Sequence, residues 1–161
     1  MPVGDPPPGF VWAAMVPELL VTDLDASLRF WCGLCGFAVA YERPEDRFAY
    51  LDRSGRQVML EEATAPGRRW ITGALEPPLG RGVNFQISVD DVGPILAALR
   101  AAAWPLFLQP EETWYRAGSR ETGVRQFLVQ DPDGYLVRFS QSLGLRPAAG
   151  SAGHEGVPLA P

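Results

Sequence analysis

ELLVTDLDASLRFWCGLCGF, residues 18 to 37, and QISVDDVGPILAALRAAAWP, residues 86 to 105, can be laid on one another, and the fold follows from that match. Each reads as a short apolar strand, an acidic turn and a helix. In the first, Leu24, Leu28, Trp31 and Cys35 recur at helical spacing, and Gly36 is placed to end the helix. In the second, Val92, Ile95, Leu96 and Leu99 do the same. Asp90 or Asp91 is placed to cap that helix, and Pro94 falls in its first turn, where no N–H is needed. Val21 aligns with Val89, an offset of 89 − 21 = 68.

A second correspondence follows each helix. FAYLDRSGRQVMLEE, residues 48 to 62, matches QFLVQDPDGYLVRFSQ, residues 126 to 141. It sets Asp52-Arg53-Ser54-Gly55 on Asp131-Pro132-Asp133-Gly134, an offset of 131 − 52 = 79. Both tetrads are hairpin turns, with Asp opening and Gly supplying a positive φ. Each half therefore predicts β-α-β-β-β, an α+β fold of two modules over about residues 14–65 and 82–142 within a single domain, 14–145. The halves can combine into a curved mixed sheet with the helices outside. The Pro/Gly-rich residues 1–13 and the low-complexity residues 146–161 predict flexible tails.

Strand alternation then sorts the side chains. Phe85, Ile87 and Val89 face the helices, leaving Asn84, Gln86 and Ser88 on the concave side. The same parity sends Val137 and Phe139 to the core and Leu136, Arg138 and Ser140 to the cavity. By equivalence Gln57, Met59 and Glu61 join them. A guanidinium at Arg138 is thus predicted to point into the concave space.

Composition narrows the function. The 161 residues carry a net charge of −5 with a pI near 4.9, and every basic residue is arginine, which argues against a nucleic-acid surface. An acidic surface suits a neutral or cationic small ligand. The N-terminus lacks a signal-peptide pattern and no apolar run reaches membrane-span length, so a cytoplasmic protein with no membrane partner is expected. Cys32 and Cys35 form a single CGLC. Redox or zinc use would need exposure or further ligands, so a structural role is expected.

VPELLVTDLDASLRFWCGLCGF in the first half and QFLVQDPDGYLVRFSQ in the second resemble the vicinal oxygen chelate superfamily, the glyoxalase, bleomycin-resistance and dioxygenase group. The resemblance covers about Met15 to Gln141. It implies a metal on the cavity side at four positions, which fall here on Val16, Asn84, Met59 and Arg138. None is a usual ligand for a divalent cation, and the lone histidine, His154, lies in the C-terminal tail. No metal and no cofactor are therefore expected.

Without a metal, the resemblance is strongest to the bleomycin-resistance proteins, which imply a homodimer sequestering an antibiotic-like, aromatic or cationic compound in crevices between subunits. Binding such a guest calls for aromatic platforms, amide partners and acids. The candidates are Phe48, Trp70, Trp114 and Tyr115 for stacking, Asn84 and Gln86 for hydrogen bonds, and Glu61 for charge, with Arg138 contacting the ligand. A Trp in a small domain reads otherwise as core or subunit interface, with Trp114-Tyr115, expected in the polar loop EETWYRAGSRETG, as the exception, and Arg138 reads otherwise as a cavity residue paired with Glu61, Glu18 or another acid. The alternative is an enzyme of the same fold acting on a small polar substrate.

Overall fold

The computed structural model describes residues 5–148. Its first module runs β1 (Glu18–Val21), α1 (Leu24–Leu28), β2 (Ala38–Arg43), β3 (Phe48–Arg53) and β4 (Arg56–Glu62). The second runs β5 (Asn84–Val89), α2 (Gly93–Ala101), β6 (Leu106–Ala117), β7 (Arg120–Gln130) and β8 (Leu136–Pro147). Each module is a four-stranded mixed sheet, in the orders β1-β4-β3-β2 and β5-β8-β7-β6. The expected curved surface is therefore built from two sheets. Glu18 lies opposite Met59 in one and Gln86 opposite Arg138 in the other, so the offsets 86 − 18 = 68 and 138 − 59 = 79 are both reproduced in the backbone.

The first helix departs from simple helical periodicity. Asp23 caps it, accepting from the Ala26 N–H at 3.0 Å. After Leu28 the chain widens into a π-helical segment, Arg29–Leu34, marked by the Cys35 N–H reaching back to the Phe30 carbonyl at 3.0 Å. The wider turn buries Phe30 beside Trp31, a core position that 3.6-residue spacing did not single out. In α2, Val92, Ile95 and Leu99 are buried as expected, and Pro94 sits in the first turn. Asp91 accepts from the Gly93 N–H at 2.8 Å, and Gln141 of β8 accepts from Val92 N.

One core joins both modules: Leu19, Val21, Leu51 and Leu60 meet Ile87, Val89, Phe127, Val137 and Phe139 around the helices. The predicted strand parity holds in β5, β8 and β4. The β7–β8 turn ties the modules together with polar contacts. The Asp133 carboxylate accepts from Thr22 N–H at 3.1 Å and Thr22 Oγ1–H at 2.6 Å. Asp131 Oδ2 accepts from Trp31 Nε1–H at 3.3 Å, and the Tyr135 hydroxyl donates to the Leu20 carbonyl at 2.9 Å. Gly134, at φ +96°, makes the turn, and a Cβ there would lie 2.5 Å from Pro78 Cβ.

Three expectations change. Trp114 and Tyr115, expected in a loop, lie in β6, because the reversal is confined to Gly118-Ser119 and the strands continue on both sides of it. Charged residues in that ribbon pair across strands, Arg125 with Glu112 and Arg146 with Glu121, which explains a polar sequence in strand. Residues 1–13, expected as a flexible tail, include a packed segment: Phe10 and Trp12 meet Tyr50 edge-on at 6.0 and 5.2 Å. At the other end β8 extends to Pro147, past the expected boundary at 145; the remainder of the C-terminal tail, with His154, lies outside the described residues.

Burial pushes the Asp131 carboxyl up to about 6, outweighing the hydrogen bonds it accepts from Tyr135, Trp31 and Asp133. A carboxyl that binds its proton more tightly folded than unfolded stabilises the fold as pH falls from about 6 toward its ordinary 3.8. Glu18 shifts in the same direction, whereas Asp23 and Glu62 are shifted down and oppose it only at lower pH. The effect is therefore isolated by comparison with Asp131→Asn. Relative to that variant, the native protein should gain on the order of 1 kcal/mol in urea unfolding between pH 7 and pH 5. Parallel pH profiles for the two proteins would refute it.

Candidate functional site

On the first module, Glu18, Gln57, Met59 and Glu61 turn away from the helices, and Phe48 and Tyr50 from β3 and Tyr41 from β2 extend that face into an aromatic floor. Tyr41 and Tyr50 stack at 5.2 Å, and the Arg43 guanidinium lies 3.8 Å over the Phe48 ring. Glu61 is buried and forms an ion pair with Arg69 at 3.0 Å, the two side chains being only 9% and 8% exposed. Arg69 also donates to the Glu62 and Ala65 carbonyls at 3.0 and 3.1 Å, which fixes the chain leaving β4.

Glu18 stands beside Glu61. Burial first, then the hydrogen bond to Glu61 and its charge, hold the Glu18 carboxyl above its ordinary range, against the opposing pull of Arg43 and Arg69. A groove of about 450 Å³ adjoins it, lined by Glu18, Leu20, Trp70, Glu76, Arg81 and Tyr135. Trp70 is 68% exposed there, with the Arg68 guanidinium 3.9 Å over its ring.

The N-terminal segment lies on the aromatic floor, held by one side chain. Gln57 Oε1 accepts from Ala13 N–H at 2.7 Å and from the Tyr50 hydroxyl at 2.6 Å. Gln57 Nε2 donates to the Val11 carbonyl at 2.8 Å and to Asp52 at 3.0 Å, so the buried amide is fully satisfied.

The second module offers a different face. Gln86, Ser88 and Asn84 of β5 are exposed, and Arg138 of β8 is half-buried between Gln86 on β5 and Leu128 on β7. Arg138 Nη2 donates to Gln86 Oε1, and no protein acceptor meets its buried Nε among the described residues. In the next row the buried Gln126 donates to Glu111 at 2.9 Å and to the Tyr115 hydroxyl at 2.7 Å. Trp114 lies across Gly123 of β7, where a Cβ would come within 2.6 Å of the ring, and Arg146 sits 4.0 Å over it.

The predicted residues thus divide between two faces. Phe48 and Glu61 belong to the first module with Trp70 nearby; Gln86, Arg138, Trp114 and Tyr115 belong to the second. Asn84 and Gln86 of that second face also line a groove of about 500 Å³ with Met15, Val16, Trp31 and Phe37. The pairing of Arg138 with Glu61 or Glu18 is not what the structure has, because Glu61 takes Arg69 and the charges acting on Glu18 are Glu61, Arg43 and Arg69. Sequence reasoning missed Arg69, Arg43, Tyr41, Phe10 and Trp12. The one usable signal was Arg68-Arg69 ahead of Trp70, two cations following the acids Glu61-Glu62 by a short turn-rich stretch.

Another depression, about 870 Å³, lies at the β7–β8 turn and is lined by Pro77, Pro78, Trp104, Phe107 and Pro132. The acids beside it, Asp131 and Asp133, spend their oxygens on Trp31 and Thr22, so it offers little directed chemistry.

The four positions to which the family resemblance assigns a divalent metal carry Val16, Asn84, Met59 and Arg138, two apolar side chains, a neutral amide and a cation. This donor set does not fit such a metal. Among the described residues no group of three or more His, Cys, Asp or Glu could hold one elsewhere. Burial pushes the Cys32 thiol up to about 11 and Cys35 further still, the opposite of a reactive pair. No helix among the described residues is long and apolar enough to cross a membrane.

Comparison with known proteins agrees with this fold. Residues 12–139 match the description "Glyoxalase/Bleomycin resistance protein/Dioxygenase superfamily". A glyoxalase/bleomycin resistance protein/dioxygenase superfamily member from Vibrio splendidus 12B01 is 39% identical, covering 78% of this chain and 95% of its own, with a TM-score of 0.36. TioX from Micromonospora sp. ML1 is 26% identical over 80% of this chain and 98% of its own, at a TM-score of 0.63. A lactoylglutathione lyase from Agrobacterium tumefaciens, 20% identical over 84% and 95%, has a TM-score of 0.52 and so shares the fold. No curated protein matches the sequence.

The Glu61–Arg69 pair has a direct energetic consequence. Arg69→Met would leave a buried carboxylate without its counter-ion and should lower urea-unfolding stability by about 3 kcal/mol. Adding Glu61→Gln should restore a substantial part. A single-variant loss well under 1 kcal/mol would mean that water already screens the pair.

Proposed function

Because the chain belongs to the glyoxalase/bleomycin resistance protein/dioxygenase superfamily, we propose that it is a metal-independent binding protein of the bleomycin-resistance type, sequestering an antibiotic-like guest in a crevice between two copies of the chain. The observation that carries this reading is the donor set: Val16, Asn84, Met59 and Arg138 stand where a catalytic metal would need ligands. What the faces offer instead is recognition. Phe48, Tyr41 and Tyr50 present aromatic surface, Trp70 stands exposed at the edge of a groove, and Glu18 and Glu76 place acids along it. Flat rings and a positive charge are the guest chemistry such a surface accepts.

The second module contributes amides, hydroxyls and a guanidinium on an open face. In a dimer that sets the first module of one copy against the second module of the other, the two halves of this recognition chemistry would meet around one guest. Phe10 and Trp12 already occupy part of the aromatic floor, so a guest would displace them or stack on their outer side.

One observation favours a second reading. Glu18, its carboxyl held above its ordinary range by burial and by Glu61 and open to a groove, is placed for acid–base work, and it would suit an enzyme acting on a small polar substrate.

Calorimetric titration of bleomycin, metal-free and copper-loaded, is the direct test. Saturable binding should weaken about tenfold, or roughly 1.4 kcal/mol, in Arg138→Ala and in Trp70→Ala. Absence of heat with both forms of the drug would overturn the bleomycin-type assignment. Binding that ignores both substitutions would overturn the site.

A further inference from the structure

The second module's open face holds a cation that the chain does not neutralise. On the first module, the arginines on the concave side are matched: Arg69 meets Glu61 and Arg43 meets Asp46. The partly buried Arg47 is matched too, by Glu62 and Asp25. Arg138 is different. Among the described residues no carboxylate lies within ion-pair distance of it, and the side-chain hydrogen bond it makes is to the neutral amide of Gln86.

Its surroundings are neutral from every strand. β5 presents Asn84, Gln86 and Ser88; β8 presents Leu136 and Ser140; β7 presents Leu128 and Gln126. The nearest acid in the register, Glu111 of β6, lies in the row of Gln126 and Ser140 and is engaged by Gln126 and Thr113. The guanidinium Nε is buried and meets no acceptor among the described residues. A half-buried cation without a carboxylate partner among the described residues, in a protein of net charge −5 with acids to spare, is left open at its Nη1 side.

We propose that Arg138 is a carboxylate receptor: the ligand of this face is a small organic acid whose carboxylate sets against the guanidinium, with the Ser88 and Ser140 hydroxyls and the Gln86 amide within the same patch. This inference rests on the reading of that face as a ligand wall and adds the charge its guest must carry. The Gln86 contact holds the planar group in orientation, and the free Nη1 edge meets the incoming oxygens. Guanidinium and carboxylate are matched in shape as well as charge, so the site discriminates a carboxylate from a neutral amide of the same outline. A guest spanning both faces would be zwitterionic, its cation toward Glu18 and its anion toward Arg138.

The experiment is an NMR titration of the full 15N-labelled chain, following the Arg138 Nε–H resonance, assigned by its loss in Arg138→Gln. Benzoate should move this resonance saturably, together with the backbone amides of Gln86 and Ser140. Benzamide at the same concentrations should leave them in place. Arg138→Gln should abolish the benzoate response with the rest of the spectrum retained, and Arg138→Lys should weaken it severalfold. Equal responses to benzoate and benzamide would overturn the proposal, and so would an equal response to inorganic phosphate, which would mean a bare charge site. So would an unmoved Nε–H resonance accompanied by loss of a dimer in Arg138→Gln, since a second copy's acid would then be the partner. Bleomycin added to the same sample keeps the two readings apart. A response to bleomycin but not benzoate ends the carboxylate site and leaves sequestration standing, and the converse ends sequestration alone.

Discussion

Two buried aspartates in one turn set the relation between the modules. Asp133 receives Thr22 through both its backbone and its hydroxyl, and Asp131 receives the indole N–H of Trp31, so the second module's hairpin grips the first module where β1 passes into its helix. Each contact is polar and directional, unlike the hydrophobic core beneath it, and a buried carboxylate left unpartnered is costly. The apolar core would tolerate sliding; these bonds do not. Every statement about which side chains share a face follows from that fixed docking.

On this shared scaffold the two halves have diverged chemically. The backbone positions of Glu18 and Gln86 are equivalent, as are those of Glu61 and Ser140 and those of Met59 and Arg138. The first module's concave side is aromatic and acidic, its charge contained by Arg69. The second module's is amide-lined, hydroxylated and cationic. Duplication supplied two copies of one geometry, and substitution at three equivalent pairs turned them into faces of opposite electrostatic character. Both lack the ligand types that a divalent metal selects.

How much of this was legible in the sequence follows from the range of the interactions involved. Strand parity is local, so Ile87 and Phe139 inward and Gln86 and Arg138 outward could be read from alternation alone. Turn chemistry is local too, and both Asp-to-Gly tetrads form the hairpins expected. Trp114 and Tyr115 were misread because their strand is a polar ribbon, and its support is cross-strand ion pairs whose partners are 13 and 25 residues apart. The pairing of Glu61 with Arg69 was hidden for another reason. The path from β4 to β5 has no periodicity, and it is the arginine's own bonds to carbonyls that shape it. The docking of residues 10–13 depends on a single amide, Gln57, which composition cannot announce.

The contrast between Arg69 and Arg138 bears on why the site is divided. A buried carboxylate and a guanidinium brought to contact satisfy one another, and a face that pairs them has no charge left for a guest. Here Glu61 is already committed to Arg69, which leaves Glu18 as the acid with an open side, and Arg138 lies beyond the reach of either. The two charges are kept apart by the separation of the two sheets within one chain. A recognition surface that must hold unlike charges ready without letting them cancel needs such a separation, and the duplicated fold provides it without added elements. On the proposed reading, association of two copies would bring the faces together only across a guest that satisfies both.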